Sequence, residues 1–107
     1  MKKVLYTLTI VATLSACKKP IDACFTFSPT TVAPNTTVSF NASCSQNASY
    51  FTWHFGDNSA DTTVTSLTVT HKYSAVGQFA VTLTAERKDG ATSGKDKTTT
   101  TQTVTVQ

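Results

Sequence analysis

The sequence lacks several features that are typical of helical proteins. Charged residues make up only 14% of its 107 residues, and leucine is almost absent after residue 14. Threonine, valine and serine are frequent instead. Because β-branched side chains favour strands over helices, the composition indicates a small β-rich protein, and the length leaves room for a single domain.

A large excess of positive charge is missing as well. The formal net charge is +3, but Lys2 and Lys3 belong to the N-terminal signal described below, and without them seven basic side chains face six acidic ones. The basic residues of the C-terminal half are interleaved with acidic residues, which is typical of a solvated surface. Nucleic-acid-binding domains carry a concentrated basic patch. We therefore expect no nucleic-acid partner.

The N-terminus has the pattern of an export signal. Two lysines supply a positive start, and residues 4–14 form an apolar run that is too short to span a bilayer. The run ends in Leu14-Ser15-Ala16-Cys17, which resembles the lipobox of bacterial lipoproteins, where a leucine and two small residues precede the cysteine that is acylated. We expect residues 1–16 to be a lipoprotein signal peptide and Cys17 to carry the lipid, palmitate included. The alternatives are an ordinary secretory signal with Cys17 as a spare thiol, or a buried N-terminal helix.

The lipid would attach the protein to a membrane of the cell envelope. Each buried CH₂ of an acyl chain contributes ~0.8 kcal/mol, so two or three chains on one cysteine anchor firmly. Residues 17–23 are expected to form a short lipidated tether that Pro20 stiffens. Lys18, and not an aspartate, follows the cysteine. In the lipoproteins that this signal resembles, that choice favours the outer membrane over retention in the inner membrane.

From residue 24 to the C-terminus, apolar residues alternate with polar ones at period two. This is the period of half-buried strands, and no segment shows a helical period. Turn-forming residues separate the apolar runs, and the chain stops just after Val106, where a last strand would finish. We therefore predict that residues 24–107 form one complete all-β domain, a sandwich of about seven strands. The residues expected to face inward are Phe25, Phe27, Val38, Phe40, Phe51, Trp53, Phe55, Leu67, Val69, Phe79, Val81, Leu83, Val104 and Val106, and turns are expected at 29–35, 43–47, 56–58, 75–77 and 88–90.

Three motifs occur in order within this domain. They are the runs Phe51-Thr52-Trp53-His54-Phe55-Gly56-Asp57-Asn58, His71-Lys72-Tyr73 and Gly77-Gln78-Phe79-Ala80-Val81-Thr82-Leu83. Together they resemble the PKD domain, the β-sandwich of the polycystic-kidney-disease type, whose pattern is Trp-Asp-Phe-Gly-Asp-Gly, then His-x-Tyr, then Gly-x-Tyr-x-Val-x-Leu. The resemblance implies an immunoglobulin-like fold. It assigns structural roles to Trp53, Phe55, Gly56, Asp57, His71, Tyr73, Gly77 and Phe79.

The chemistry of the motif residues agrees with structural roles. Trp53 and Phe55 share one face of a strand and should dominate the core, since aromatic side chains bury the largest apolar areas. Gly56 allows a positive φ in the turn that follows, and Asp57 can accept hydrogen bonds from turn amides. Gly77 fits a turn before the next strand.

The chain departs from the family pattern at three positions. His54 replaces an aspartate and should face outward, because its two neighbours face inward. Asn58 replaces a glycine, and asparagine is the next-best residue for a left-handed backbone. Phe79 replaces a tyrosine, which removes any hydroxyl bond of the tyrosine-corner type from that position.

Two cysteines remain once Cys17 is lipidated. Disulfides form and persist in exported proteins, and a bridge between Cys24 and Cys44 would stabilise the fold by roughly 3 kcal/mol through loop closure. Strict alternation would point Cys24 outward and Cys44 inward, so the bridge needs a bulge or a strand that starts after Cys24. We predict the bridge, with two free thiols as the alternative.

The polar residues do not match the spacing of a known catalytic or metal site. The two histidines and nearby aspartates lack zinc-site spacing, and no serine lies in a Gly-x-Ser-x-Gly motif. We expect no metal, no cofactor and no enzyme activity. A calcium site formed by Asp57, Asn58 and Asp61 is the alternative to simple turn hydrogen bonds. Asp61-Thr62-Thr63 looks like a short bacterial O-glycosylation acceptor, which makes Thr62 a candidate site.

The resemblance implies spacing, adhesion or ligand contact at the cell envelope. We expect a monomeric, non-catalytic lipoprotein that binds an unknown protein or glycan through its loops or an exposed sheet face. The alternative is a carbohydrate- or calcium-binding accessory module that serves a separate envelope enzyme. A hydrolase is a third hypothesis, but it needs a nucleophile with an identifiable base.

Overall fold

The computed structural model describes residues 19–87 and 97–107. The expected signal peptide (1–16), Cys17 and the turn expected at 88–90 lie outside these residues. Within them there is no helix long and apolar enough to cross a membrane. Eight strands occur in the described ranges: β1 (Thr26–Ser28), β2 (Thr31–Val32), β3 (Thr37–Asn41), β4 (Tyr50–His54), β5 (Thr62–Val64), β6 (Thr68–Lys72), β7 (Gly77–Glu86) and β8 (Lys97–Val106).

The strands form two sheets that face each other. The first has three strands in the order β1-β3-β6, and the second has five in the order β2-β8-β7-β4-β5. All pairings are antiparallel except that of β2 with β8. The longest ladder joins β7 to β8, from Gly77 opposite Val106 to Glu86 opposite Lys97. The predicted all-β sandwich is confirmed.

The core lies between the two sheets and centres on Trp53. Trp53 has no exposed surface. Its ring contacts Phe25 edge-on at 5.2 Å between centroids and Phe40 at 5.6 Å. Trp53 belongs to the five-stranded sheet and Phe40 to the three-stranded sheet, so the aromatic contact closes the sandwich. The buried residues are Ala23, Phe25, Val32, Val38, Phe40, Ala42, Phe51, Trp53, Phe55, Tyr73, Val81, Leu83, Ala85, Val104 and Val106.

Some strand predictions were wrong or too short. Leu67 was expected in the core, but it is 48% exposed and precedes β6, where the chain crosses from one sheet to the other. Its carbonyl accepts a backbone hydrogen bond from Ala42 instead. Strand β2 lies within the turn expected at 29–35, next to a cis Ser28-Pro29 peptide bond. Strand β8 begins at Lys97, well before its first bulky residue, Val104.

Cys24 and Cys44 form the predicted disulfide. Strand β1 starts at Thr26, after Cys24, and this is the irregularity that the bridge required. Ser45 also binds the backbone of Cys24. The Ser45 hydroxyl donates to the carbonyl of Cys24 at 2.7 Å and accepts from the amide of Cys24 at 2.9 Å. The bridge therefore joins the start of the domain to the loop that follows β3.

Of the segment expected to be a tether, residues 19–23 lie against the sandwich. Ala23 is buried, and Ile21 packs against the core. Asp22 and Gln46 exchange two backbone hydrogen bonds, at 3.1 and 2.9 Å. The chain therefore joins the folded body several residues before the first strand.

The turn after β4 needs a glycine at position 56. Gly56 has φ of 81°, and a Cβ added there would overlap the carbonyl oxygen of Ala80 on β7 and lie 3.0 Å from its amide nitrogen. Both the left-handed backbone and the close approach of β7 exclude a side chain. The predicted positive φ at Gly56 is confirmed.

Gly56→Ala is expected to lower the free energy of unfolding by about 2–4 kcal/mol, because strain and a backbone overlap add. Urea denaturation followed by the fluorescence of the single tryptophan measures the loss. Gly77→Ala is the matched control: Gly77 also has a positive φ, 147°, but the nearest atom to an added Cβ is 3.6 Å away. An equal or larger loss in Gly77→Ala would show that close approach at Gly56 is unimportant.

Candidate functional site

Several motif residues meet at one end of the sandwich, around the turn that follows β4. The ring of Phe55 stacks on that of His71, with centroids 4.0 Å apart and an interplanar angle of 2°. His71 lies on β6 in the three-stranded sheet, so this stack joins the two sheets. The His71 ring also meets the Tyr73 ring in a T-shaped contact at 4.8 Å. These contacts give the motif residues a structural role.

Tyr73 ties this cluster to the backbone. Its buried hydroxyl donates a hydrogen bond to the carbonyl of Phe55 at 3.0 Å, and its ring stacks on Phe79 at 4.6 Å. Burial raises the pKa of Tyr73, and the negative charge of Asp57 raises it further, so the phenol stays protonated and remains a donor. Tyr73 therefore supplies a hydroxyl-to-backbone bond that Phe79 cannot make, a role that sequence analysis did not assign.

Asp57 connects the turn to His71. One carboxylate oxygen accepts hydrogen bonds from the amide and the hydroxyl of Ser59, at 3.2 and 2.6 Å. The other lies 2.8 Å from Nε2 of His71. Partial burial acts to raise the pKa of Asp57, but the hydrogen bonds from Ser59 and His71 outweigh it and hold the pKa below its ordinary value. Asp57 makes the predicted turn bond and, in addition, a contact with His71.

A second histidine–aspartate pair faces solvent. Nδ1 of His54 lies 2.8 Å from a carboxylate oxygen of Asp61. These two side chains are 53% and 55% exposed, whereas His71 and Asp57 are 18% and 19% exposed. His54 faces outward as predicted. Because solvent screens exposed ion pairs, the His54–Asp61 pair should contribute little to stability.

The loop residues considered for calcium turn toward different partners. Asp57 contacts His71, and Asp61 contacts His54. Asn58 has φ of 70°, which agrees with the left-handed backbone expected there. In the part of the chain that the structure describes, no three His, Cys, Asp or Glu side chains are grouped to hold a metal ion. Asp57 makes turn hydrogen bonds to Ser59, whereas Asp61 is engaged with a histidine side chain.

The outer face of the five-stranded sheet carries a regular set of hydroxyl groups. Strand register places Thr63, Thr52, Thr84 and Thr99 side by side across β5, β4, β7 and β8. The Thr52 and Thr63 hydroxyls are hydrogen-bonded at 2.9 Å, and so are those of Thr82 and Thr101. We call this surface the hydroxyl face, and its threonines are Thr52, Thr63, Thr82, Thr84, Thr99, Thr101, Thr103 and Thr105.

Other groups border the hydroxyl face. Tyr50, Glu86 and Lys97 form the neighbouring row across β4, β7 and β8. The negative charge of Glu86 raises the pKa of Tyr50, as do partial desolvation and a hydrogen bond between the two side chains. An open groove runs beside Tyr50 along the edge strand β5, and its other lining residues are Ser49, Thr63, Val64, Thr65 and Ser66. Thr62, the candidate glycosylation site, is exposed at the start of β5, and its modification stays a prediction.

Asp57→Asn is expected to lower the free energy of unfolding at neutral pH by about 1–2 kcal/mol, since the replaced group accepts hydrogen bonds as an anion. A depressed pKa in the folded state gives stability that is present above the ordinary value of 3.8 and lost as pH falls through the lower folded value. The difference in the free energy of unfolding between wild type and Asp57→Asn should therefore become smaller as pH drops below about 4. Urea unfolding of both proteins between pH 2 and 7 measures this difference.

Asp61→Asn is the matched control, because it removes a carboxylate at the same distance from a histidine but exposed to solvent. It should leave the unfolding curves almost unchanged at every pH. A pH-independent gap between wild type and Asp57→Asn would contradict the assignment of acid sensitivity to this carboxylate.

Comparison with known proteins gives two family matches and one structural match of note. The model of the prokaryotic membrane lipoprotein lipid attachment site matches residues 1–17, and the chain is therefore a lipoprotein whose attachment site lies within these residues. No curated protein sequence matches significantly. A solved structure from work on the promiscuous specificity of carbohydrate-binding modules of the β-sandwich superfamily has a TM-score of 0.70 and 34% identity. The match covers 82% of this chain, which spans 34% of the length of that structure.

The PKD domain model matches residues 22–105, which include both sheets, the disulfide and the aromatic cluster around His71. The motifs identified in the sequence occupy corresponding structural positions: Trp53 in the core, Gly56 in the tight turn, and His71 and Tyr73 against Phe55. The chain belongs to the PKD domain family.

Proposed function

We propose that this protein is a non-catalytic interaction module of the cell envelope that presents its hydroxyl face to a partner. The single observation that carries the proposal is the row of four threonines that crosses four adjacent strands. Adjacent strands are about 4.8 Å apart, so such a row offers evenly spaced hydroxyl groups on a rigid surface. Rigid strands hold binding groups in place better than loops do.

The chemistry of the hydroxyl face favours a neutral, polyhydroxylated partner. Each threonine hydroxyl can both donate and accept, so it can exchange hydrogen bonds with another hydroxyl in either direction. The charged groups border the threonines: Glu86 and Lys97 lie in the neighbouring row, and Asp61 lies beside His54, which is in register with Thr82. A neutral partner over the threonines therefore leaves those charges solvated and avoids the cost of burying them.

We therefore propose a glycan as the partner, with a protein partner as the alternative. The similarity to a structure described with carbohydrate-binding modules supports this choice. Tyr50 adds an aromatic ring next to the threonine rows, at the edge of the open groove. Aromatic rings and hydroxyl groups on one surface suit the apolar and polar faces of a sugar ring.

Thr52→Val combined with Thr84→Val is expected to weaken glycan binding about tenfold, since two hydroxyl hydrogen bonds together are worth ~1.4 kcal/mol. The lipidated protein, reconstituted in vesicles, is first tested against a panel of neutral polysaccharides and then titrated with the one that binds. Thr68→Val combined with Thr70→Val is the matched control, because it removes two exposed hydroxyls from the three-stranded sheet. Equal weakening in both double variants, or capture of no glycan by the wild type, would contradict the proposal.

We also propose that the protein resides in the outer membrane, because Lys18 and not an aspartate follows the lipidated cysteine. Separation of inner and outer membranes should place the wild type in the outer fraction. Cys17→Ser should release the protein from both membranes, because it removes the acylated thiol. Lys18→Asp, which keeps the lipid, should shift the protein to the inner membrane. Wild-type protein in the inner fraction would overturn the assignment.

A further inference from the structure

Three side chains from different parts of the fold hold the segment that follows the lipid anchor. The guanidinium of Arg87 donates to the carbonyl of Lys19 at 2.9 Å, and the side-chain amide of Asn47 donates to that of Pro20 at 2.8 Å. The hydroxyl of Thr98 donates to the carbonyl of Ile21 at 3.0 Å. Three consecutive carbonyls are thus bound by three donors. We call Asn47, Arg87 and Thr98 the tether clamp.

The clamp is anchored in the rigid part of the sandwich. Arg87 directly follows β7, and Thr98 is the second residue of β8, which pairs with β7 along its whole length. Asn47 lies in the loop after β3, between the disulfide at Cys44 and β4. Arg87 also donates to the carbonyl of Asn47, at 3.4 Å, so two members of the clamp contact each other. A flexible linker would not require donors at three successive carbonyls.

The distance between the clamp and the lipid is short. Only residue 18 separates Cys17 from Lys19, and two peptide steps span at most about 7 Å. A free tether of residues 17–23 would have allowed the domain to tilt and rotate. With Lys19, Pro20 and Ile21 held, Cys17 lies within two peptide steps of one end of the sandwich, so its lipid keeps that end close to the membrane.

The strand directions identify that end. Strand β7 runs from Gly77 to Glu86 and finishes beside the clamp, and β8 starts there at Lys97. The turn at Gly56 lies against Ala80, toward the opposite end. Ten strand residues extend roughly 33 Å, so the two ends differ greatly in their height above the bilayer. Lys19 and Lys97 are exposed at the clamped end, where cationic groups can meet lipid phosphates.

We propose that the tether clamp fixes the orientation of the domain on the membrane. The clamped end of the sandwich then contacts the phospholipid headgroups, and the Gly56 turn points away from the membrane. We call this arrangement the rigid mount. The partner of the clamped end is the bilayer surface itself. The proposal rests on lipid attachment at Cys17 and is independent of what the hydroxyl face binds. A failure of glycan binding would leave it untouched.

Paramagnetic relaxation from a gadolinium-labelled headgroup lipid tests the orientation. The full lipidated protein is placed in phosphatidylcholine nanodiscs, and relaxation of its backbone amide signals is measured by NMR. Signals of Gln46 and Asn47 should be strongly broadened, whereas those of Asn58 and Ser59 should change little. Equal broadening at both ends of the wild type would overturn the proposal.

Two changes to the protein should abolish the difference in signal broadening between the two ends of the sandwich. The triple variant Asn47→Ala, Arg87→Met, Thr98→Val removes the donors, and its unchanged amide spectrum away from the clamp verifies folding. Eight Gly and Ser residues inserted between Lys18 and Lys19 leave the clamp intact but add a linker with a root-mean-square length of about 15 Å. Thr101→Val is the matched control, because its hydroxyl bonds Thr82 on the hydroxyl face and not the tether.

The broadening measured in each variant either supports or contradicts the rigid mount. Equalised broadening in the insertion variant, with the difference retained in Thr101→Val, supports the rigid mount. A difference between the ends that survives the eight-residue insertion would show that the orientation comes from the membrane surface alone, and it would overturn the role of the clamp. A difference in broadening between the ends that persists in the folded triple variant would also overturn the role of the clamp.

Discussion

The packing of Trp53 between the two sheets is the contact on which the fold depends. Burying an indole removes about 150–250 Å² from water, worth roughly 4–6 kcal/mol at ~25 cal/mol per Å². Within the described residues its N–H has no hydrogen-bond partner, and an unsatisfied donor of this kind costs about 1–3 kcal/mol. The apolar gain exceeds this cost, so the ring stays in the core. Phe25 and Phe40 from the opposite side then fix how the two sheets meet.

The position of Trp53 decides what faces solvent. Successive side chains of a strand point to opposite faces, so Thr52 and His54 must face outward once Trp53 faces inward. The β4–β7 register carries the same assignment to Thr84 and Thr82, and the β7–β8 register carries it to the threonines of β8. The hydroxyl face is therefore a consequence of the same alternation that builds the core. A slip of one residue in register would place threonines in the core and bulky residues in water.

The alternation of bulky residues predicted β3, β4 and β7, and the motifs placed Gly56 and Asp57 correctly in the turn. The prediction at Leu67 failed because that residue lies where the chain leaves one sheet for the other, and alternation has no meaning at a crossing. Most of β8 was missed because its first half carries threonines, which have no bulky side chains to reveal the pattern. The clamp had no sequence signal at all. Asn47, Arg87 and Thr98 lie 27, 68 and 77 positions from the carbonyls they bind, so only the folded chain brings them together.

The two ends of the sandwich are held by different means, and this separation matters for how the module can work. At one end the ring stack of Phe55 on His71, with Asp57 beside it, joins the sheets without any covalent link. At the other end the disulfide and the tether clamp fix the chain that leads to the lipid. The hydroxyl face extends between these ends along β7 and β8 and contributes no residue to the aromatic stack. The proposed mount therefore uses groups at one end of the five-stranded sheet and leaves most of its outer surface accessible. A module built in this way can change the outward threonines without disturbing either its core or its anchor, because the core, the clamp and the hydroxyl face use different side chains.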